Sequence, residues 1–300
     1  MSKKLNPSES TQFKVALIQM SCCSEVEQNL TKALKGVRSA VSKGAEIVCL
    51  QELFSSTYFC QSEDLKHFDL AEPIPGPTTN MFSEAARELG VVLIVPIFER
   101  RAPGLFHNTA VIIDTDGSLL GVYRKMHIPH DPLYYEKFYF TPGDLGYLVF
   151  ETRFAKIGIL ICWDQWYPEA ARLSALGGAE ILFYPSAIGS GPSDNKTDNL
   201  IQQESWQTVQ RGHAIANGIF IATVNRVGHE GPVEEGLDFW GKSFVCDPQG
   251  KVISEASGQE DEMLIVSCNR EVLERYRKEW PFLRDRRIDS YGSICQRFAD

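Results

Sequence analysis

Three side chains that could act together on a carbonyl stand at the ends of three apolar runs. Cys162 closes the run from Ile157 to Ile161 and is followed at once by Trp163, Asp164 and, at 168, a proline. Glu52 follows AEIVCLQ (45–51), and Lys125 ends LLGVYRK (119–125). A strand that delivers its last residue into a turn exposes that side chain at the carboxyl edge of a sheet, where α/β proteins bind ligands. The start of the next helix offers unpaired backbone N–H groups, which stabilise a thiolate and the oxyanion formed when it attacks a carbonyl. A thiol needs a base and a charge partner to be an effective nucleophile. Here the carboxylate would take the thiol proton and the ammonium would stabilise negative charge. Each residue also has a plain structural reading. A free cysteine is commonly a small core hydrophobe, and a lone charge at a strand end is commonly solvated.

The elements that must position these groups alternate along the chain. FKVALIQM (13–20) reads as a buried strand, and residues 25–43 carry apolar residues at helical spacing. AEIVCL (45–50) is the next strand. Pro73, Pro75, Gly76 and Pro77 mark a loop before a helix at 78–89. Strands follow at 90–99 and 107–114, a turn at DTDG (114–117), and a strand at 118–125. After a loop at 128–147 come strands at 147–151 and 155–162, a helix at 167–177 and a strand at 179–185. Residues 191–199 read as loop, 200–217 as helix, 218–224 as strand, 241–256 as a hairpin and 261–268 as the last strand. Strands mixed with hairpins and separated by helices imply two sheets with helices on their outer faces, an α/β fold. Residues 1–12 read as a disordered lead-in, and 13–300 as one domain whose tail begins near 269.

Composition narrows the class. The chain has 300 residues, 43% hydrophobic and 23% charged, with a formal charge of −9, which suits a soluble globular protein. An acidic balance argues against nucleic acid and anionic membranes as main partners. No apolar run approaches the roughly 20 residues that span a bilayer, and the first residues lack the apolar stretch of a secretory signal. The eight cysteines show no CxxC and several lie in strand-like runs. They read as free thiols in a reducing cytoplasm. No metal site is expected, and no GxGxxG follows the first strand.

LQELF (50–54), GVYRKMHIP (121–129) and ICWDQWYPEAAR (161–172) resemble the three catalytic segments of the nitrilase superfamily of carbon–nitrogen hydrolases, in the family order Glu, Lys, Cys. EKFYFTPGD (136–144) is similar to the segment that supplies a second glutamate, here Glu136. The resemblance runs from about Phe13 to the tail. It implies a four-layer α-β-β-α sandwich, paired subunits or larger homo-oligomers, and no metal or organic cofactor. It also implies attack by Cys162 after Glu52 takes its proton, with the oxyanion held by Lys125 and the Trp163 backbone N–H. For Glu136 it leaves two roles open, orienting Lys125 and the substrate or sharing acid–base work.

Within the superfamily, CWDQWYPEAAR, EILFYPSAIGS and WPFLRDRR (280–287) most resemble the branch that hydrolyses N-carbamoylputrescine, a small ureido compound. No arginine follows Cys162 before Arg172, so a substrate carboxylate lacks an evident partner, whereas carboxylates and aromatic faces suit a distal ammonium. Tyr58, Tyr134 and Trp166 are candidate pocket walls, and Asp194 a candidate partner for the amine. Plant members of the branch carry an acidic residue directly after AIGS, where this chain has Gly191. Trp206 and Trp240 read as packing residues. The alternatives are hydrolases of N-carbamoyl-β-alanine, of aliphatic amides or of nitriles, and a non-catalytic metabolite-binding scaffold.

Overall fold

A computed structural model describes residues 10–299. Residues 1–9 of the expected lead-in lie outside the described residues, while Gln12, placed at its end, is the first residue of a strand. In chain order the elements begin β1 (Gln12–Gln19), α1 (Val26–Ser42), β2 (Ile47–Leu50), α2 (Pro77–Leu89), β3 (Val92–Ala102), β4 (Leu105–Ile113) and β5 (Leu119–Arg124). They continue as α3 (Glu136–Tyr139), β6 (Val149–Glu151), β7 (Lys156–Ile159), α4 (Pro168–Leu176), β8 (Ile181–Ser186), β9 (Gly189–Ser190) and α5 (Lys196–Asn217). The rest are β10 (Phe220–Asn225), β11 (Val227–Glu230), β12 (Leu237–Trp240), β13 (Phe244–Cys246), β14 (Val252–Glu255), β15 (Glu262–Asn269) and α6 (Arg270–Glu279).

Two six-stranded sheets, ordered β15-β1-β2-β3-β4-β5 and β14-β13-β10-β8-β7-β6, form the middle of the molecule. Side chains alternate faces along a strand, and the first sheet is apolar on both. Val15, Leu17, Ile47, Cys49, Val92, Ile94, Ala110 and Ile112 join a core shared with the second sheet. Their neighbours Ala16, Ile18, Val48, Leu50, Leu93, Val95, Val111 and Ile113 pack with Leu30, Ala33 and Val37 of α1 and Phe82 and Ala86 of α2. The outer face of the second sheet is covered by Ala170, Ala171 and Ala175 of α4 and Trp206 and Ala214 of α5. Helix, sheet, sheet, helix is the four-layer order.

The departures from the sequence reading are local. The helix expected at 200–217 begins at Lys196, because the Asn195 side chain accepts from the Asp198 N–H (3.0 Å) and caps it. The tail from 269 holds α6, capped by Asn269; Leu273 and Tyr276 are its buried residues, and Arg270 and Arg277 tie it to Glu180 and to the Gly218 and Ala179 carbonyls. A third sheet, β11-β12-β9, has no counterpart in the sequence reading; its strands are short and Gly- or charge-bearing. Gly189 there leaves no room for a side chain: a Cβ would lie 2.3 Å from the Asp238 carbonyl oxygen. No helix among the described residues is long and apolar enough to cross a membrane.

Candidate active site

Glu52, Lys125, Glu136 and Cys162 converge between the two sheets. Cys162 does not end a strand: β7 stops at Ile159, and the thiol opens a 3₁₀ turn, Cys162–Trp166. Its φ is +43°, a conformation non-glycine residues seldom adopt and one that marks a constrained position. Asp164 supplies the constraint. Its Oδ2 accepts from the Ile161 N–H (2.9 Å) and the Tyr123 hydroxyl (2.7 Å). Its Oδ1 accepts from the His127 N–H (3.0 Å) and Nδ1–H (2.7 Å). One fully buried carboxylate thus ties the cysteine turn to the chain just past Lys125. His127 stacks on Tyr167 with ring centroids 3.7 Å apart, so it belongs to this brace. His130 lies on the exposed side, 3.9 Å from Glu63.

Lys125 lies one residue beyond β5, where its N–H donates to the Asn108 carbonyl (2.9 Å). The preceding Arg124 is forked onto Glu99 (2.6 and 2.7 Å). The fully buried Lys125 ammonium donates to Glu52 Oε1 (2.8 Å) and to both oxygens of Glu136 (2.8 and 2.6 Å). Glu52 Oε1 also accepts from Asn108 Nδ2 (2.7 Å), while Glu52 Oε2, equally buried, has no partner. Glu136 begins the one-turn α3 and accepts from the Tyr58 hydroxyl (2.7 Å).

The charges explain the titration behaviour. Burial pushes the Cys162 thiol well above its usual range and the Glu52 charge adds to this, while Lys125 and the Ala187 backbone N–H oppose them without prevailing. The turn therefore does not yield a standing thiolate, contrary to what the helix-start argument allows. Burial also pushes Glu136 up to about 7, with Lys125 opposing and Glu52 adding. The Lys125 ammonium stays charged, because burial is outweighed by the Glu136 and Glu52 carboxylates. A neutral thiol near a carboxylate oxygen with no other partner can give up its proton on demand. A fixed ammonium alongside can hold the negative charge that follows.

Above these groups opens a cavity of about 730 Å³, within the range that holds small ligands. Cys162 and Glu136 reach its wall, with Tyr134, Trp163 and Trp166 beside them; Glu52 and Lys125 lie beneath. Tyr134 is fixed at Gly189, donating to its carbonyl (3.0 Å) and accepting from its N–H (2.9 Å). Asp194 also lines the cavity. Tyr58 does not: its hydroxyl is turned inward and donates to the buried Glu136 carboxylate. Trp240, read as packing, is a wall residue as well as a buried one, whereas Trp206 is packing alone, its Nε1–H donating to Gln165 (2.8 Å).

Asn108, Asp164, Asp131 and Glu235 were missed. A signal for the first was present: His107, Asn108 and Thr109 are polar residues inside an otherwise apolar strand, and all are buried. Asp131 and Glu235 line the cavity from loops, where sequence pattern carries no such signal.

Residues 14–278 match the carbon–nitrogen hydrolase family. The chain belongs to that family. Among carbon–nitrogen hydrolases it is 45% identical to the N-carbamoylputrescine amidase of Solanum lycopersicum, over 92% of this chain and 93% of the relative. It is 40% identical to the citrullinase of Francisella tularensis, over 95% and 99%. The crystal structure of a carbon–nitrogen hydrolase from Helicobacter pylori G27 superposes with a TM-score of 0.93 at 46% identity, covering 96% and 100%. The four-layer sandwich is accordingly that of the nitrilase superfamily.

Proposed function

We propose that this carbon–nitrogen hydrolase cleaves the ureido group of N-carbamoylputrescine, giving putrescine, ammonia and carbon dioxide, with Cys162 as nucleophile. Glu52 takes the thiol proton on Oε2, and the sulfur attacks the ureido carbon. The oxyanion is held by the Lys125 ammonium and the Trp163 N–H; one such donor is typically worth about 10²–10³ in rate. Glu52 returns the proton to the departing ammonia. The remaining alkylcarbamoyl thioester is attacked by a water that Glu52 deprotonates, freeing the thiol and a carbamate that falls apart to amine and carbon dioxide. Glu136 holds Lys125 by a two-oxygen contact and faces the substrate side.

The observation that carries the substrate reading is the charge of the cavity. Asp131, Asp194 and Glu235 line it, and among the described residues no lysine, arginine or histidine does. A ureido compound with a distal ammonium suits that wall; one with a distal carboxylate does not. Asp194 also addresses the missing acidic residue at 191. Its Oδ2 accepts from the Gly191 N–H (2.8 Å) and lies 4.0 Å from where a side chain at 191 would begin. A carboxylate from three residues onward thus occupies the neighbourhood of the absent one.

Citrulline is the second reading, favoured by the 40% identity to a citrullinase. It carries both an ammonium and a carboxylate, and the carboxylate would face the acidic wall. Steady-state ammonia release from N-carbamoylputrescine, citrulline, N-carbamoyl-β-alanine and an aliphatic amide separates the possibilities. The highest kcat/KM is expected for N-carbamoylputrescine; a higher value for citrulline would replace the first reading with the second.

A further inference from the structure

Glu52 is poorly held by its own strand. β2 ends at Leu50, and Leu53, just past Glu52, has φ +49°, a left-handed conformation that nothing in the leucine side chain favours. The hold comes from the opposite sheet. Arg226, directly after β10, is fully buried. Its Nη2 donates to the carbonyls of Glu52 (3.1 Å) and Leu53 (2.8 Å), and its Nη1 to the carbonyl of Ser56 (2.9 Å) and to Glu230 Oε1 (2.7 Å). The Arg226 backbone is itself fixed, donating to Ser186 (3.2 Å) and accepting from Gly241 (3.0 Å). Phe239 lies beneath the guanidinium at 5.5 Å.

The pair reaches the second carboxylate too. Glu230 Oε2 accepts from the Tyr58 N–H (2.5 Å), and the Tyr58 hydroxyl donates to Glu136 (2.7 Å). The two carboxylates that grip Lys125 are thus both held from behind through one ion pair. A buried ion pair is weak evidence for stability, since apolar replacements are often neutral. What the guanidinium supplies here is geometry: its fork fits three carbonyls of a turn that would otherwise relax. Lysine, a point charge on a flexible stem, cannot reproduce that.

We infer that Arg226, braced by Glu230, is a positioning residue that fixes the Glu52 turn and so holds the partner-free Oε2 in the site it shares with the Cys162 thiol. The inference rests on the reading of Glu52 as the base. A misplacement of about 1 Å costs on the order of 10²-fold in rate, so loosening this turn shows in kcat and leaves substrate binding alone.

The test uses Arg226→Lys in the full-length protein, which keeps the buried charge. The measurements are kcat, KM and the rate of Cys162 alkylation by iodoacetamide at neutral pH, in wild-type and Glu52→Gln backgrounds. In the wild-type background kcat and alkylation are expected to fall about 10- to 100-fold, with KM within about threefold. In the Glu52→Gln background Arg226→Lys is expected to slow alkylation by less than about twofold further, because its effect runs through Glu52. Losses that multiply independently, or a folded Arg226→Lys with unchanged kcat, overturn the inference. A Glu52→Gln protein with wild-type turnover removes the base reading itself; an inactive Glu52→Gln beside an unaffected Arg226→Lys removes only the role given to Arg226. If Arg226→Lys does not fold, Glu230→Gln weakens the same brace, with a kcat loss of about three- to tenfold expected and an unchanged kcat counting against.

Discussion

Asp164→Asn is the substitution that most sharply tests how the cysteine turn is held. The change is isosteric, so packing is preserved and only hydrogen bonding and charge are altered. Asp164 accepts four bonds, two on each oxygen. Asparagine keeps one oxygen and presents an NH₂ group at the other. If the NH₂ replaces Oδ2, the Tyr123 hydroxyl can rotate to accept, but the Ile161 N–H is left facing a donor. If it replaces Oδ1, His127 can change tautomer, but its backbone N–H is left unpaired. Either way one buried N–H is orphaned, at about 1–3 kcal/mol, and the remaining bonds lose charge assistance, for a total of roughly 2–4 kcal/mol. With an unfolding entropy of about 2.1 cal/mol/K per residue and 300 residues, the expected drop in Tm is roughly 3–6 °C. The Ile161 N–H immediately precedes the left-handed Cys162, so kcat falls as well. Calorimetry and steady-state ammonia release measure the two effects. A Tm within about 1 °C of wild type together with an unchanged kcat would refute the claim that Asp164 constrains the turn.

Three further outcomes follow from the same geometry. Tyr58→Phe removes a donor to Glu136 without removing packing, so kcat is expected to fall while KM for the ureido substrate holds; a raised KM with unchanged kcat would return Tyr58 to the pocket wall. Asp194→Asn combined with Glu235→Gln is expected to raise KM for N-carbamoylputrescine and leave turnover of an uncharged amide alone; equal effects on both substrates count against amine recognition by the acidic wall. At alkaline pH the buried thiols make folding pH-sensitive. Burial pushes Cys246 up to about 12, so its contribution to stability is complete below the usual thiol range and is lost as pH rises through 12. That is about 1.4 kcal/mol per pH unit for each such group. The urea midpoint is expected to fall steadily above about pH 9, and a flat midpoint to pH 11 would contradict the neutral buried thiols.

The parts of the fold legible in the sequence are those with strong periodicity. β1 and α1 fall within a residue or so of their expected bounds, because burial on both faces of the first sheet and on one face of α1 writes itself into the pattern of Val15–Ile18 and Leu30–Val37. The first turn of α5 and all of α6 were hidden. The former is capped by Asn195 in a polar stretch, and the latter buries only Leu273 and Tyr276. The small sheet of β9, β11 and β12 was hidden because two- and four-residue strands rich in glycine and charge leave no alternation to read.

At the site, Glu52, Lys125, Glu136 and Cys162 were visible as polar residues at the edges of apolar runs or as parts of recognisable segments. Their supports were not. Asn108, Asp164 and Arg226 act through backbone groups and through partners far away in the chain, and a single sequence does not display such pairings. Tyr58 is a pocket candidate in the sequence because an aromatic face suits a distal ammonium; its hydroxyl instead satisfies a buried carboxylate.

The most direct measurement is turnover of N-carbamoylputrescine by Cys162→Ser. The account predicts a folded protein of wild-type Tm whose ammonia release is lower by about 10³-fold or more, because a serine hydroxyl is a far weaker acid for Glu52 to deprotonate. Ureido hydrolysis at near wild-type rates by that variant would contradict it.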